Sequence, residues 1–482
     1  VSIRVESKGE AWRWVRVQRL TGREAIGQLF SFDLDVICDP GHDLPEGAQL
    51  DEEAVIVFSI DDEEVRRVHG VLGVIRAQIG ALHGMDRATY RLRVVPRAAR
   101  LALVETQEVY LGQSVPEIIR AKLERHGFEA ADFDLRLMGA YPAREIVVQY
   151  AESDLAFVSR LAEHVGIGFC FEHEDGRDKL IFTDHTDGYR KLTSNAEVPF
   201  QGRGEASGVF ALDRVSELTP TSYILQDYNY RTPKVDLSAV ADLATGNGGG
   251  VVEYGAHVKT PAEAEHLARV RCEERRGRQL FYEGKSGTMD LSAGRRASIL
   301  DVPHTQGPEK LLFVEVTHDA FIPVFSEQDG DPRYANAFRA VPEQEGVTYR
   351  PPRATPRPRI TGVVTGVVQP GPDGETGGVA KIDADGRYTV ALHLDPAQHG
   401  AQKASHPMRM MQPFAGPDYG VHFPLRRGTE VLVAFANGDP DRPVILGAVY
   451  NATSPSPVVA SSANKHRIKT SAGVLFELGS KS

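Results

Sequence analysis

Apolar residues recur along this chain mostly with a period of two. Phe30, Phe32, Leu34 and Val36 alternate with Ser31, Asp33 and Asp35. Val55, Val57 and Ser59 alternate with Ile56, Phe58 and Ile60, and Tyr90, Leu92 and Val94 with Arg91, Arg93 and Val95. Polar loops such as Asp61-Asp62-Glu63-Glu64 punctuate these runs, so residues 1–100 read as a small barrel-like β domain. Between 101 and 204 the period changes to that of helices. Ser114-Val115-Pro116-Glu117 is a capping-box sequence, Val115, Ile118, Ile119 and Leu123 form one face, and Gly127 suits a C-cap. A second helix is predicted from Ser153, with Leu155, Val158, Leu161, Ala162 and Val165 on its apolar face. Gly166 stops it, and Gly168 to Glu172 follows as a strand.

Residues 205–349 read as a second barrel-like β domain. Tyr223, Leu225, Asp227 and Asn229 alternate with Ile224, Gln226, Tyr228 and Tyr230. One helix interrupts them, from the box Thr260-Pro261-Ala262-Glu263 to Gly277. The run Gly246 to Gly250 lacks a following Lys-Ser/Thr, so it reads as a mobile loop rather than a phosphate loop. Arg350 to Arg359 is dense in Pro and Arg. It predicts a polyproline-type linker whose arginines stay soluble and pair with acidic surface beside them.

After the linker the strand pattern resumes over residues 360–463. Ile360 to Val368 is its first strand, Gly371 to Glu375 a turn, and Tyr388, Val390, Leu392 and Leu394 alternate. The stretch Gly420 to Asn451 has the clearest organisation. Val431, Val433 and Phe435 alternate with Leu432 and Ala434, and the turn Asn437-Gly438-Asp439-Pro440-Asp441 leads into Val444, Ile445, Leu446 and Val449. From 464 to 482 a short alternation, Ile468 and Thr470 then Val474, Phe476 and Leu478, surrounds Ser471-Ala472-Gly473. So short a tail cannot bury its own apolar face and requires a partner elsewhere.

The stretch Arg427-Gly428-Thr429-Glu430-Val431-Leu432-Val433, with Gly438-Asp439-Pro440-Asp441-Arg442-Pro443, resembles the OB-fold domain of VgrG proteins. These are the trimeric spikes of bacterial type VI secretion, related to phage tail hub and spike-base proteins. Gln149 to Phe157 and Tyr349-Arg350-Pro351-Pro352 carry the resemblance upstream, in the same order. Two segments depart from it: Tyr388 to Asp395 stands where an Arg-Val-x-Phe-Pro-Trp-Asp strand is common, and Ser405-His406-Pro407 replaces a Cys-Trp. Both keep the apolar face. The implied fold class is mainly β with α/β insertions. It has two barrel-like hub domains, a helical/strand insert over 101–204, a linker over 350–359, an OB-fold domain over 360–463 and the start of a trimeric β-prism over 464–482.

Composition narrows the function. The 482 residues carry a net charge of −11, which disfavours non-specific nucleic-acid binding. The three cysteines, Cys38, Cys170 and Cys272, are too sparse for a disulfide framework. No apolar run approaches the roughly 20 residues of a membrane helix. The N-terminus carries no signal peptide, and the missing initiator Met suggests a longer gene product. Glu152 and Asp154 could pass for an acid/base pair, but acidic residues suit a first helical turn through the macrodipole. His164, Cys170 and His173 share one helix–strand unit without zinc spacing. His69, His83, His257 and His318 read as isolated loop or strand histidines. No catalytic, cofactor-binding or metal residue is assigned.

The resemblance implies a structural, non-enzymatic spike at the tip of a contractile injection machine, puncturing target membranes and carrying effectors. It implies a homotrimer, with an Hcp-like tube protein, a PAAR-type tip protein, baseplate proteins and effectors or their adaptors as partners. No cofactor and no nucleic acid are expected. The protein would reside in the bacterial cytoplasm before firing and be secreted or injected afterwards. Two alternatives stay open: a phage-type tail hub with cryptic wall-hydrolase activity, and an OB-based polyanion- or carbohydrate-binding module.

Overall fold

The computed structural model describes residues 1–7, 10–44, 49–77, 87–192, 196–201, 208–305, 307–324, 331–344, 347–369, 378, 380–395 and 405–479. Two compact units are present. The first comprises Val1–Val104, Val115–Tyr141 and Ser153–Pro356; the second comprises Glu105–Ser114, Pro142–Glu152 and Arg357–Ser482.

The first unit is built on a twelve-stranded sheet. Its opening strands are β1 (Ser2–Ser7), β2 (Val15–Ala25), β3 (Ser31–Cys38), β4 (Glu53–Ile60), β5 (Glu63–Ala77) and β6 (Thr89–Val95). They lie in the order β1-β4-β5-β6-β3-β2, and the sheet continues through Glu309–Phe321, Arg333–Pro342, Leu280–Ser286 and Val209–Ser216. The join is antiparallel, with Leu20 opposite Ala320 and Glu24 opposite Val316. Strands from the first hundred residues and from beyond residue 205 therefore share one sheet. Its inward face follows the sequence alternation: Leu20, Phe32, Leu34, Val36, Phe58, Leu92 and Val94 are buried.

Among the described residues, three α-helices pack in this unit. Helix α1 (Val115–Arg125) buries Val115, Ile118, Ile119 and Leu123, and Gly127 follows it at φ 78°. Helix α2 (Asp154–His164) is capped by Ser153, whose hydroxyl accepts the Ala156 N–H. Its buried face is wider than the periodicity predicts: Phe157, Ser159, Arg160 and Glu163 are buried as well as Val158, Leu161 and Ala162. Leu155 and Val165 are only half-buried. The charged members of that face explain the difference, since each can enter the interior only with partners.

Helix α3 (Pro261–Gln279) begins as predicted, with Thr260 accepting the Glu263 N–H at 3.2 Å. It passes through Gly277 instead of ending there. A Cβ at Gly277 would sit 3.2 Å from the Tyr349 ring, so this glycine makes room for an aromatic side chain. One face of α3 covers the small sheet of Ser222–Gln226, Ala239–Asp242 and Gly250–Tyr254. The Gly246 to Gly250 run is a hydrogen-bonded turn: Asn247 donates its N–H to Thr219 O at 2.9 Å, and Gly248 donates to Thr221 Oγ1 at 2.7 Å.

The prolines and arginines up to Pro356 form a strap on the first unit. Arg350 donates to Glu273 and to the carbonyls of Gly166 and Asp184. Arg353 reaches Glu253 and Glu274. The Glu163 carboxylate accepts both the Ala354 and Thr355 N–H groups and the Thr355 hydroxyl, at 2.8–3.0 Å. The linker arginines thus pair with acidic groups beside them, and Glu163 earns its burial through three donors.

In the second unit five strands form a sheet in the order Ser405–Met408, Tyr388–Leu392, Val364–Val368, Glu430–Phe435, Pro443–Ala448. Its first strand begins at Val364, four residues later than the Ile360 predicted, and the Ile360 N–H bonds Gly438 O at 2.8 Å ahead of it. Tyr388, Val390, Leu392, Val431, Val433, Phe435 and Ile445 form its core. The Gly371 to Glu375 turn and His83 lie outside the described residues.

Candidate functional site: an assembly surface

The second unit carries its outer features on a tightly held frame. In the turn joining the last two sheet strands, Asn437 and Gly438 take φ of 56° and 71°. Asp441 then accepts the Val148 N–H at 2.6 Å, and Arg357 donates to Asp439 and Asp441 at 2.8 and 3.3 Å. The two acids of the Gly-Asp-Pro-Asp motif are therefore structural acceptors, buried and ion-paired.

Outside this frame lie two exposed apolar features. The first is a finger made by the two-residue strands Ala415–Gly416 and Tyr419–Gly420. Tyr388 anchors its base: the buried phenol accepts the Leu425 N–H at 3.0 Å and meets His422 Nε2 at 2.8 Å. The finger itself exposes Phe414, Tyr419 and Phe423, each more than half accessible. The Phe414 and Tyr419 rings are 5.2 Å apart, and the Tyr419 ring lies over Gly416, where a Cβ would make it shift.

The second feature is the tail. Lys465–Lys469 and Leu475–Gly479 pair antiparallel, with Ile468 opposite Phe476 and His466 opposite Leu478. The tail thus pairs its two strands with each other, while the outer edge of each strand stays open among the described residues, as expected of strands that need a further partner. Lys465 and Arg467 converge on Glu477 at 2.6 Å on one face. Ile468, Phe476 and Leu478 stand on the other, 49–57% exposed. An isolated two-stranded hairpin with an uncovered apolar face is marginal in water, and such a face marks an interaction site.

The residues with possible chemistry are occupied otherwise. Asp154 is buried between Lys122 Nζ at 2.7 Å and His126 Nε2 at 2.8 Å. Glu152 is also buried, and its carbonyl accepts from Gln149. His164 meets the Ala256 carbonyl and Arg271, whereas His173 Nδ1 accepts the His69 N–H at 3.2 Å. Burial pushes the Cys170 thiol up to about 12, so at neutral pH it offers no thiolate.

His318 is not isolated. It lies buried 3.0 Å from Glu24 and 2.7 Å from the Tyr334 hydroxyl, and Arg66 bonds the other Glu24 oxygen at 2.7 Å. Burial would raise the Glu24 carboxyl, but Arg66 and His318 outweigh it and hold it at about 2. Burial and the Arg66 charge drive His173 down to about 3. Spacing along the chain hid this cluster. Its one signal was phase: Glu24, Arg66 and His318 each fall on the buried beat of a strand alternation.

Residues 23–321 match the family of the phage tail baseplate hub (GPD), and residues 376–450 match the type VI secretion system/phage-baseplate injector OB domain. The chain belongs to the VgrG family, related to phage tail hubs. The spike protein VgrG4b of Pseudomonas aeruginosa is 32% identical over 467 residues, covering 92% of this chain and 55% of that protein. The chain spans about 55–61% of the length of the first curated relatives it matches. Among solved structures, the E. coli c3393 protein aligns with a TM-score of 0.67 and 26% identity, over 92% of this chain and all of that one. It is described as a type VI secretion component with structural similarity to the T4 phage tail proteins gp27 and gp5. The Francisella PdpA-VgrG complex in its half-lidded form aligns at TM-score 0.64 and 8% identity, over 99% of this chain and 83% of that one, a likeness of fold alone. The VgrG fold is mainly β with α/β insertions and an OB domain; the matched OB residues hold four strands of the five-stranded sheet and the finger, and the tail follows them.

Proposed function

We propose that this chain is the hub and spike base of a homotrimeric contractile-injection spike. The observation that carries the reading is the terminal hairpin, whose two strands pair only with each other among the described residues and whose Ile468, Phe476 and Leu478 face lies uncovered. Two symmetry mates would cover that face and the aromatic finger, since a heterologous contact that closes after three subunits leaves no free end. The work is mechanical: a contracting sheath supplies the energy, and the trimer transmits it to a target membrane. The fitting partners are a tube protein of the Hcp type, a PAAR-type tip, baseplate proteins, and effectors or adaptors. The protein would assemble in the bacterial cytoplasm and leave the cell on firing. The buried ion pairs of Asp154 and Glu24 suit this reading, because they build a rigid frame and no reactive group.

In the native host, removing the gene should abolish release of tube protein into the medium, and the wild-type gene should restore it. A Phe476→Asp, Leu478→Asp variant should fail to restore release while the protein still accumulates in cells. Unchanged release without the gene, or full restoration by that variant, would contradict the reading.

A further inference from the structure

The outward face of the large sheet is charged strand by strand. β6 presents Arg91 and Arg93, β3 Asp33 and Asp35, β2 Arg19 and Arg23, and Glu309–Phe321 presents Glu315 and Asp319. Neighbouring strands neutralise each other. Arg91 bonds Asp35 at 2.7 Å, Arg93 bonds Asp33 at 2.8 Å, Arg23 bonds Glu315 at 2.7 Å, and Arg19 bonds Asp319 at 3.2 Å. The alternation of sign breaks at β5. Arg76 stands directly opposite Arg91, a like-charge cross-strand pair, and among the described residues it has no ion-pair partner. The depression there, of about 260 Å³, is lined by four guanidiniums, Arg19, Arg76, Arg91 and Arg93, against the two carboxylates Asp33 and Asp35.

A second, independent feature coincides with this excess of positive charge. β4 accompanies β5 only up to Val71, and Glu52 and Asp51 extend the pairing by hydrogen bonds to Leu72. From Gly73 to Ala77, β5 is paired on its β6 side alone among the described residues. In an antiparallel strand every second residue turns its N–H and C=O away from its partner. Among the described residues Gly73–Ala77 is therefore an open edge, able to template another strand.

We propose that the Gly73–Ala77 edge takes up an extended acidic segment of a partner protein by strand addition. Main-chain hydrogen bonds to the edge would supply affinity, and side chains at alternate positions would supply specificity. Glu or Asp at those positions would continue the alternation of sign beside Arg76 and relieve its repulsion with Arg91. A basic strand would meet that repulsion, so the arginine that guards the edge also selects its occupant. The chain's net charge of −11 does not oppose this at short range, because at physiological salt charges beyond about 8 Å are largely screened.

The probe is a labelled soluble peptide of alternating Glu and Val, followed by anisotropy against the full chain, with a Lys/Val peptide alongside. The Glu/Val peptide should bind and the Lys/Val peptide should not. Arg76→Glu, at an exposed position, should weaken binding about tenfold. N-methylation of alternate amides on one edge of the Glu/Val peptide should weaken binding to the wild-type chain by a similar factor, a readout that needs no variant to fold. No binding of the Glu/Val peptide would overturn the proposal. Equal affinity for the Arg76→Glu chain, or for both N-methylated registers of the peptide, would overturn it as well.

Discussion

Replacing Asp154 by Ala tests the frame of the first unit at the residue whose motif first invited a catalytic reading. Asp154 is 0% exposed, and its carboxylate holds the ammonium of Lys122, also 0% exposed, and the ring of His126. The substitution removes the acceptor and leaves a buried cation. Breaking a buried pair in this way costs about 3–5 kcal/mol, most of it the desolvation of the orphaned charge. The double variant Lys122→Met, Asp154→Ala removes both charges and should be more stable than Asp154→Ala alone. The coupling should be at least about 1–2 kcal/mol, as for directly contacting residues. Both tryptophans, Trp12 and Trp14, lie in this unit, so their fluorescence during chemical denaturation reports on it selectively. Asp154→Ala within about 1 kcal/mol of wild type, or strict additivity in the double variant, would refute the reasoning.

Further outcomes follow from the second unit and from the buried cluster. Phe435→Ala should cost about 3–5 kcal/mol, because the ring is 7% exposed within the OB core. Gly438→Val should lower the melting temperature of the same unit, since φ of 71° strains a β-branched residue; wild-type melting for both would place this hairpin outside the core. Acidification should destabilise the first unit. The His173 ring is held at about 3, below its unfolded value near 6.5, so the unfolded chain binds the extra proton as pH falls from 6.5 towards 3. Stability present above pH 6.5 should be lost at about 1.4 kcal/mol per pH unit once that window is entered. His318 is lowered in the same sense, and Glu24, held at about 2, adds its own loss below pH 4.5. Denaturation at pH 7 and pH 5 should show a smaller difference for His173→Leu than for wild type, and equal differences would contradict the assignment.

What could be read from the sequence was local. The hairpin around Gly438 carries its own turn chemistry, and the helix starts at Ser153 and Thr260 carry their own caps. Those signals span a few residues and survive in the fold. The Glu24–His318 contact joins residues 294 apart, across the seam where β2 meets Glu309–Phe321, and no periodicity encodes that register. Gly277 misled for a related reason. Its role depends on Tyr349, which the strap brings over α3. The tail was half legible: alternation exposed its apolar face, but not that the Gly473 turn, at φ 91°, would let its two strands pair with each other. The Arg76 edge was hidden because it depends on where β4 ends against β5.

The central claim is that three chains of this protein assemble through surfaces that one chain leaves uncovered. Light scattering of the purified chain across a concentration series measures it most directly. A mass of three chains at high concentration is the predicted result, with dissociation on dilution and a weaker trimer, still folded, when Asn464–Ser482 is deleted. A mass of one chain at every concentration, or a stable dimer, would contradict the account.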